Sequence, residues 1–336
     1  MGINCVKTDV YAHSSAFVDL KPEWMDLLAQ SAPRSIFQTP QWQNLWWDNF
    51  SGGLNLRILT VRSDEGELLG LCSLAEAEGR FEFLGGKDLC DHLDVLSRPG
   101  HEETVAGGIL EAFADSLPGP VELDLHFIPE DSRTLSPLRK AAEEMGWEVT
   151  LEAEETSPFI LLPRTWEEYL ENLRGKDRHE LRRKMRRAEE YGSLRIRNSS
   201  PAELQEDMDV FLKLHAISAP EKSEFMDDRM REFFRQTGRI LAAEGWLRLT
   251  FLELDGTPAA ALLCFDIDGS LLVYNSGYDT GLSAASPGIA LFGYAIHEAI
   301  RDGLRTFDFL RGNETYKYRL GGRDRPLVHF HLRPNL

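Results

Sequence analysis

The chain has 336 residues, 42% of them hydrophobic, and a formal charge of −18 at pH 7. That length exceeds what one hydrophobic core usually serves, so two domains are the first expectation. The acidic balance argues against broad nucleic-acid binding unless a local basic patch overrides it. No apolar run approaches the roughly 18 to 20 residues that span a bilayer. The opening MGINCVKTDV lacks the basic-then-apolar layout of a secretory signal, so a cytoplasmic location is expected. Its Met-Gly resembles a myristoylation start, but Val6 stands where that signal carries Ser or Thr. Cys5, Cys72, Cys90 and Cys264 form no C-x-x-C pair, which leaves them as incidental thiols or small buried hydrophobes rather than a disulfide or zinc framework.

From the N-terminus, FQTPQWQNLWWDNF sets Phe37, Trp42, Trp46 and Phe50 at helical spacing, with Trp47 beside them; a core stripe fits this better than a stacking platform. LNLRILTVRS, a turn at Glu65-Gly66, ELLGLCSLAEAE, a turn at Gly79-Arg80 and FEFLGG read as a three-stranded meander. TVAGGILEAFADSL then reads as a helix behind Pro99-Gly100, and VELDLHFI as a strand. SPFILLP would complete this first sheet. The boundary is accordingly placed near Pro163, giving domains 1–163 and 164–336. Residues 166–191, PAELQEDMDVFLKLHAI and DDRMREFFRQTG all have helical spacing.

In the second half, WLRLTFLEL, Asp255-Gly256, TPAAALLCFDI, Asp268-Gly269 and SLLVYNSGYD follow in turn. Asp-Gly between β-rich runs is a hairpin signal, so residues 246–279 form another meander. A helix at about 287–302 and the strand RTFDFL come next. Both halves run β-β-β-α-β, offset by roughly 185 to 190 residues, with Pro-Gly ahead of each helix. The expectation is an internal duplication: an α/β (α+β) fold of two tandem domains, each a mixed, mostly antiparallel sheet flanked by helices.

The two helix starts differ. A helix opening leaves backbone N–H groups without partners and carries roughly half a positive charge. In the first half Glu102 and Glu103 enter the first turn, where they satisfy it and repel phosphate. In the second half IALFGYA brings no acid, and Ser283, Ala284, Ala285, Ser286 and Gly288 are small enough to admit a ligand to the main chain. An ordinary turn, with Ser286 as N-cap and Pro287 at the first helical position, accounts for the same residues without a ligand.

FQTPQWQNLWWDNF, FLGGKDLCDHLDVL, LRGKDRHELRRKMRR, YNSGYDTGLSAASPG and FDFLRGNETYKYRLG, in this order over most of the chain, resemble the GNAT acyltransferase superfamily. Within it they resemble the double-domain CelD-like group, which is related to the Fem peptidyltransferases. The resemblance implies tandem GNAT-like domains whose sheet splays between the fourth and fifth strands. Acetyl-CoA or another acyl-CoA would lie in the opening as co-substrate. Its pyrophosphate would meet the backbone of Ser286, Pro287, Gly288 and Ile289, although Pro287 has no N–H to give. Fem relatives take their acyl group from aminoacyl-tRNA instead.

Transfer to an amine needs a polarised carbonyl, a base and an acid. A main-chain N–H around Asn275 to Gly277 is the candidate for polarising the carbonyl, with Gly277 easing close approach. Asp308 interrupts an aromatic strand opposite Phe307 and Phe309, where partial desolvation would raise its pKa; a structural pairing with Arg311 or Lys317 is the alternative. Asn313 would cap a short helix holding Glu314, Tyr316, Lys317 and Tyr318. Either tyrosine could act as general acid, and Lys317 could hold a phosphate or an acceptor carboxylate; a solvated amphipathic helix is the plainer reading. Tyr274 and Tyr278, at even spacing, would line the acceptor side or simply pack. His215 is a weaker base candidate.

Arg178, Arg182, Arg183 and Arg186 recur along one helix and would bind the CoA 3′-phosphate, an anionic glycan or tRNA, unless they are solvated and paired with acids such as Glu189 and Glu190. Asp91, His92 and Asp94, or His329 and His331, do not complete a metal site, so no metal is expected. G-x-S-x-G is absent, which leaves no support for a serine hydrolase. The leading reading is an acyl-CoA-dependent N-acyltransferase acting on a small-molecule, glycan or peptide amine in polysaccharide or cell-envelope metabolism. The C-terminal domain would be active and the N-terminal one mainly structural. The alternatives are a Fem-like aminoacyl-tRNA-dependent peptidyltransferase and a non-enzymatic binding module in polysaccharide assembly.

Overall fold

The computed structural model describes residues 6–31, 34–116 and 121–334; the Met-Gly start and Cys5 lie outside them. The chain divides into two compact units, Met1–Thr156 with Arg325–Leu336, and Ser157–Asp324.

Unit 1 begins with β1 (Lys7–Tyr11), α1 (Ala16–Asp19), α2 (Lys21–Gln30) and α3 (Pro40–Phe50). Thr39 starts α3 by accepting from the Trp42 N–H, with Pro40 at the first helical position, and Trp42, Leu45 and Trp46 are buried. Phe37 meets Trp42 edge-on with ring centroids 5.0 Å apart, so the aromatic stripe is core. The meander follows as β2 (Asn55–Arg62), β3 (Leu68–Ala77) and β4 (Arg80–Phe83), then the short β5 (Leu96–Ser97), α4 (Glu102–Ser116), β6 (Glu122–Pro129), α5 (Leu135–Glu144) and β7 (Trp147–Thr156).

Unit 2 holds β8 (Phe159–Leu161), α6 (Trp166–Asn172), α7 (Gly175–Tyr191), β9 (Leu194–Asn198), α8 (Leu204–Ser218), α9 (Pro220–Phe225) and α10 (Asp228–Ala243). Its meander is β10 (Leu247–Leu254), β11 (Thr257–Ile267) and β12 (Ser270–Tyr278), followed by α11 (Pro287–Arg301), β13 (Thr306–Asp308) and α12 (Thr315–Arg319). The last strand, β14 (Pro326–Pro334), belongs to unit 1. Both Asp-Gly turns have positive φ at each residue, 52° and 76° at Asp255-Gly256 and 49° and 69° at Asp268-Gly269, the twist that two-residue hairpins need.

The sheet of unit 1 runs β1-β2-β3-β4-β6-β14-β7, with β5 on β3, and that of unit 2 runs β8-β13-β12-β11-β10-β9. In each, three antiparallel strands lead through one helix to a strand parallel to the third, β6 on β4 and β13 on β12. The fold is thus a pair of mixed sheets flanked by helices. Two expectations need correction. SPFILLP does not finish the first sheet: β8 pairs with β13, and the place beside β6 is taken by β14. The helical stretch 166–191 breaks at Leu173, whose extended backbone (ψ 146°) carries its side chain into the unit 2 core between α6 and α7. No helix among the described residues is long and apolar enough to cross a membrane. Cys72, Cys90 and Cys264 are buried thiols.

Candidate acyl-donor site

β13 pairs with β12 only from Ser270 to Leu272, and beyond Asp308 the chain leaves the sheet. From Val273 to Tyr278, β12 therefore has no strand on that side. After β12, Asp279 accepts from the Gly281 N–H, and a 3-10 turn over Thr280–Ala285 leads into α11. Ser286 stands at the N-cap position in the left-handed region (φ 57°, ψ 43°) without a side-chain cap bond. Its carbonyl accepts from Ala290 N–H at 3.1 Å, while the Gly288 and Ile289 N–H groups have no hydrogen-bond partner among the described residues. No acid lies in the first turn. Ser286 and Pro287 thus hold the N-cap and first helical positions expected of an ordinary turn, but no side chain caps it, and the leading amides stay available to an anion. At α4, by contrast, Glu102 accepts from the Gly100 N–H at 2.8 Å and Glu103 meets Lys140 at 3.1 Å.

Tyr278 is 37% exposed and lies beside this opening. A Cβ added at Gly288 would stand 3.4 Å from its ring, an ordinary contact. One turn along α11, Phe292 packs against Tyr316, with centroids 5.1 Å apart. The Tyr316 hydroxyl has no hydrogen bond to a described residue, and burial pushes its phenol well above the usual range. Tyr318 faces elsewhere: it donates to Asp324 at 2.7 Å, which pushes it up to about 12.

Tyr274 does not share a face with Tyr278. The β11 register jumps so that Leu263 pairs with Asn275 and Cys264 with Val273, leaving Tyr274 as the extra residue of a β-bulge. Its ring lies on Phe234 of α10 (5.7 Å) and Phe265 (5.0 Å). Asn275 points to α8, where its Oδ1 meets His215 Nε2 at 2.9 Å. Gly277 is small for α8 rather than for a ligand, because a Cβ there would come within 2.3 Å of the His215 backbone nitrogen. His215 is buried; burial, then the Lys222 charge, lowers its pKa to about 4, and its Nδ1 has no partner.

The loop after β13 uses its polar groups internally. Asp308 is 2% exposed, and its Oδ1 accepts from the Leu310 N–H (2.8 Å) and the Ser157 hydroxyl (3.3 Å), so the carboxylate expected as a base closes the turn. Lys317, expected to reach a ligand, is buried and donates to the carbonyls of Leu310, Arg311 and Gly312 at 3.1, 2.6 and 3.2 Å and to Glu314 at 2.9 Å. Arg311 and Glu314 thus enter as part of this fastening. Glu314, not Asn313, holds the N-cap position of α12, without a side-chain cap bond.

Lys222 was not evident from the sequence. Its Nζ donates to the Ser276 carbonyl at 2.7 Å, on the stretch of β12 beyond its partner strand, and burial lowers its pKa. A lysine in the acidic run PEKSEF reads as solvated until α9 folds against β12. In α7, Arg178 donates to the Leu170 carbonyl at 3.4 Å and Arg183 forks onto Glu180. Arg182 and Arg186 are exposed and form no ion pair with a described residue. Leu181 and Met185 seat α7 on Gly293 of α11, where a Cβ would meet the Met185 sulfur at 2.8 Å.

Residues 175–318 match the family model described as an acetyltransferase (GNAT) domain. Unit 2 carries a GNAT-type domain. The match runs from α7 to α12 and so includes the whole open helix start. Among solved structures, FemX superposes with a TM-score of 0.68 at 11% identity over 96% of each chain. L-PGS from Bacillus licheniformis gives 0.60 at 13% identity, over 94% of this chain and 92% of that one. A tandem GNAT protein from the clavulanic acid biosynthesis pathway gives 0.51 at 14% identity, over 96% and 98%. At these identities the likeness is one of fold, and the fold is that of tandem GNAT-like domains. No curated protein matches the sequence.

Proposed function

We propose that unit 2 is an acyl-CoA-dependent N-acyltransferase in the cytoplasm, acting on a small-molecule, glycan or peptide amine in polysaccharide or cell-envelope metabolism. Unit 1 serves mainly as its structural partner. The observation that carries this is the unplugged start of α11, where Gly288 and Ile289 present amides without partners beside the unpaired stretch of β12. The diphosphate of CoA suits those amides and the helix dipole. A main-chain N–H of residues 275–277 polarises the acyl carbonyl. Tyr316, whose phenol stays protonated and whose hydroxyl has no partner among the described residues, is the acid for the departing thiolate, and the proton released by the attacking amine reprotonates the tyrosinate through water. Tyr278 borders the acceptor. Asp308 and Lys317 support the site through the loop they close.

Thermal unfolding with CoA or acetyl-CoA tests the reading. Binding to the folded state alone raises stability by RT ln(1 + [L]/Kd). A rise in melting temperature is expected, and Gly288→Glu removes it. No rise across a panel of acyl-CoAs refutes acyl-CoA use.

The exposed Arg182 and Arg186 on α7 favour one second reading, transfer from aminoacyl-tRNA. It predicts tRNA retention at low salt that falls steeply as salt rises. Failure to retain tRNA at low salt removes it.

A further inference from the structure

Two β-bulges flank β14 in unit 1. On the β6 side, Val328 pairs with Ile128 and Phe330 with Leu125, so His126 and Phe127 together oppose His329. Phe127 sits at φ 59°, which only a few non-glycine residues adopt. On the β7 side, Leu327 pairs with Glu155 and Val328 with Ala153, leaving Glu154 as the extra residue. Bulges re-aim side chains, and these two aim theirs at one place.

There the His126 and His329 rings stack with centroids 4.0 Å apart and planes 4° from parallel. Asp124, 2% exposed, lies between their outer nitrogens: its Oδ2 is 3.0 Å from His126 Nε2, and its Oδ1 contacts His329 Nε2. One ligand atom from each of the three falls within 4.8 Å of the others. Behind them, Glu154 Oε1 meets His126 Nδ1 at 2.5 Å, and its Oε2 accepts from the Phe127 N–H at 3.0 Å.

Glu154 can only accept when ionised, so it assigns the Nδ1 proton to His126. In the neutral ring this turns the Nε2 lone pair toward Asp124, another acceptor. Two acceptors at this spacing call for a cation: a second ring proton or a metal ion. An outer carboxylate that fixes the tautomer of a histidine is how metal sites orient imidazole ligands.

We propose that Asp124, His126 and His329 bind a divalent late first-row transition ion such as zinc, with Glu154 as the outer carboxylate. Two imidazoles and a carboxylate suit that ion and leave a fourth position to water. An ion here ties β14 to β6. Arg80 also contacts Asp124, and Lys87 Nζ lies 3.7 Å from it, so two fixed cations share the carboxylate. The site is therefore weaker than a closed structural zinc centre. This proposal is independent of the transfer reaction assigned to unit 2.

The test is titration of EDTA-stripped, full-length protein with Zn²⁺, and with Co²⁺ for its visible spectrum. The expected result is uptake of a single equivalent, a raised melting temperature and cobalt bands of a low-coordinate nitrogen and oxygen site. His126→Gln and His329→Asn each weaken binding at least about tenfold, and Glu154→Gln weakens it about 10- to 100-fold. Arg80→Gln tightens it by removing a competing cation. His331→Asn leaves it unchanged, because His331 Nε2 is engaged by Glu122 at 2.8 Å. Absence of saturable uptake overturns the proposal, as does uptake that survives in the histidine variants. Should one histidine variant fail to fold, the other and Arg80→Gln decide.

Discussion

α4 and α11 occupy the same place in two sheets of matching connectivity, and they treat their leading amides in opposite ways. The first turn of α4 carries Glu102 and Glu103, one of them bonded to the Gly100 N–H. The first turn of α11 carries no acid and leaves Gly288 and Ile289 without partners. The polar side chains of the units diverge as well. Unit 2 sets Lys222 and His215 against the unpaired stretch of β12 and fastens the loop after β13 with Asp308 and Lys317, whereas unit 1 gathers Asp124, His126 and His329 on a sheet face. Connectivity alone therefore does not make the proposed donor site. It depends on what is absent from one helix turn and on what holds the neighbouring loop apart.

The largest expected effect probes that loop. Lys317→Ala leaves the carbonyls of Leu310, Arg311 and Gly312 without their buried donor, and each buried acceptor left unpaired costs about 1 to 3 kcal/mol. Urea unfolding should show the loss in unit 2. An unchanged midpoint together with a raised KM would instead mean that Lys317 serves the ligand. His215 comes next. Its folded pKa of about 4 lies below the ordinary imidazole value of 6.5, so the unfolded chain binds the proton first as pH falls. The stabilisation from keeping this ring neutral is complete above pH 6.5 and is lost progressively toward pH 4, about 3 kcal/mol in all at 1.36 kcal/mol per unit. His215→Gln should flatten that part of the pH–stability curve relative to the parent, and an unaltered slope would show the ring to be solvated.

Much of this comparison was legible in the residues themselves. Asp-Gly at 255–256 and 268–269 fixed both hairpins of unit 2, since few other pairs accept positive φ twice in succession. The contrast between HEETV and GIALF showed which helix start was open. Other features depend on partners distant in sequence. SPFILLP and PLVHFHL are short apolar runs that either sheet edge accepts, so nothing local assigns β8 to unit 2 and β14 to unit 1. The bulge at Tyr274 shifts alternation by one and turns that tyrosine onto Phe234, a change invisible in a period-two pattern. In YKYR the lysine, between two aromatic residues, reads as a holder of a phosphate or an acceptor carboxylate, while the carbonyls that engage it come from residues 310–312. His126 and His329 are 203 positions apart and meet only because β14 returns beside β6.

Gly288→Glu is the direct test of the open helix start. A Cβ there meets the Tyr278 ring at ordinary contact distance, so the fold should tolerate the substitution, while the added charge opposes a diphosphate at the place proposed for it. CoA affinity should fall on the order of 100-fold, about 2.7 kcal/mol, with Gly288→Ala nearly neutral. Isothermal titration of the three proteins separates charge from bulk, and equal losses in both variants would make the effect steric.

The smallest effect belongs to the sibling helix. Glu102→Ala removes the acceptor for the Gly100 N–H at a solvent-accessible turn, where water replaces it, so stability should fall by about 0.5 to 1 kcal/mol in urea unfolding. Combining Glu102→Ala and Glu103→Ala with Gly288→Glu asks a sharper question, because the only unplugged helix start of the two is then α4. No CoA binding is expected from that triple variant by titration calorimetry. Neither the stretch from β4 to α4 nor the one from β6 to β7 holds a tyrosine, unlike the segments that carry Tyr278 and Tyr316, and dipole and bare amides contribute only about 1 kcal/mol at an exposed helix end, too little to hold a nucleotide alone. Recovery of CoA binding in the triple variant would mean that two glutamates are all that separates the units.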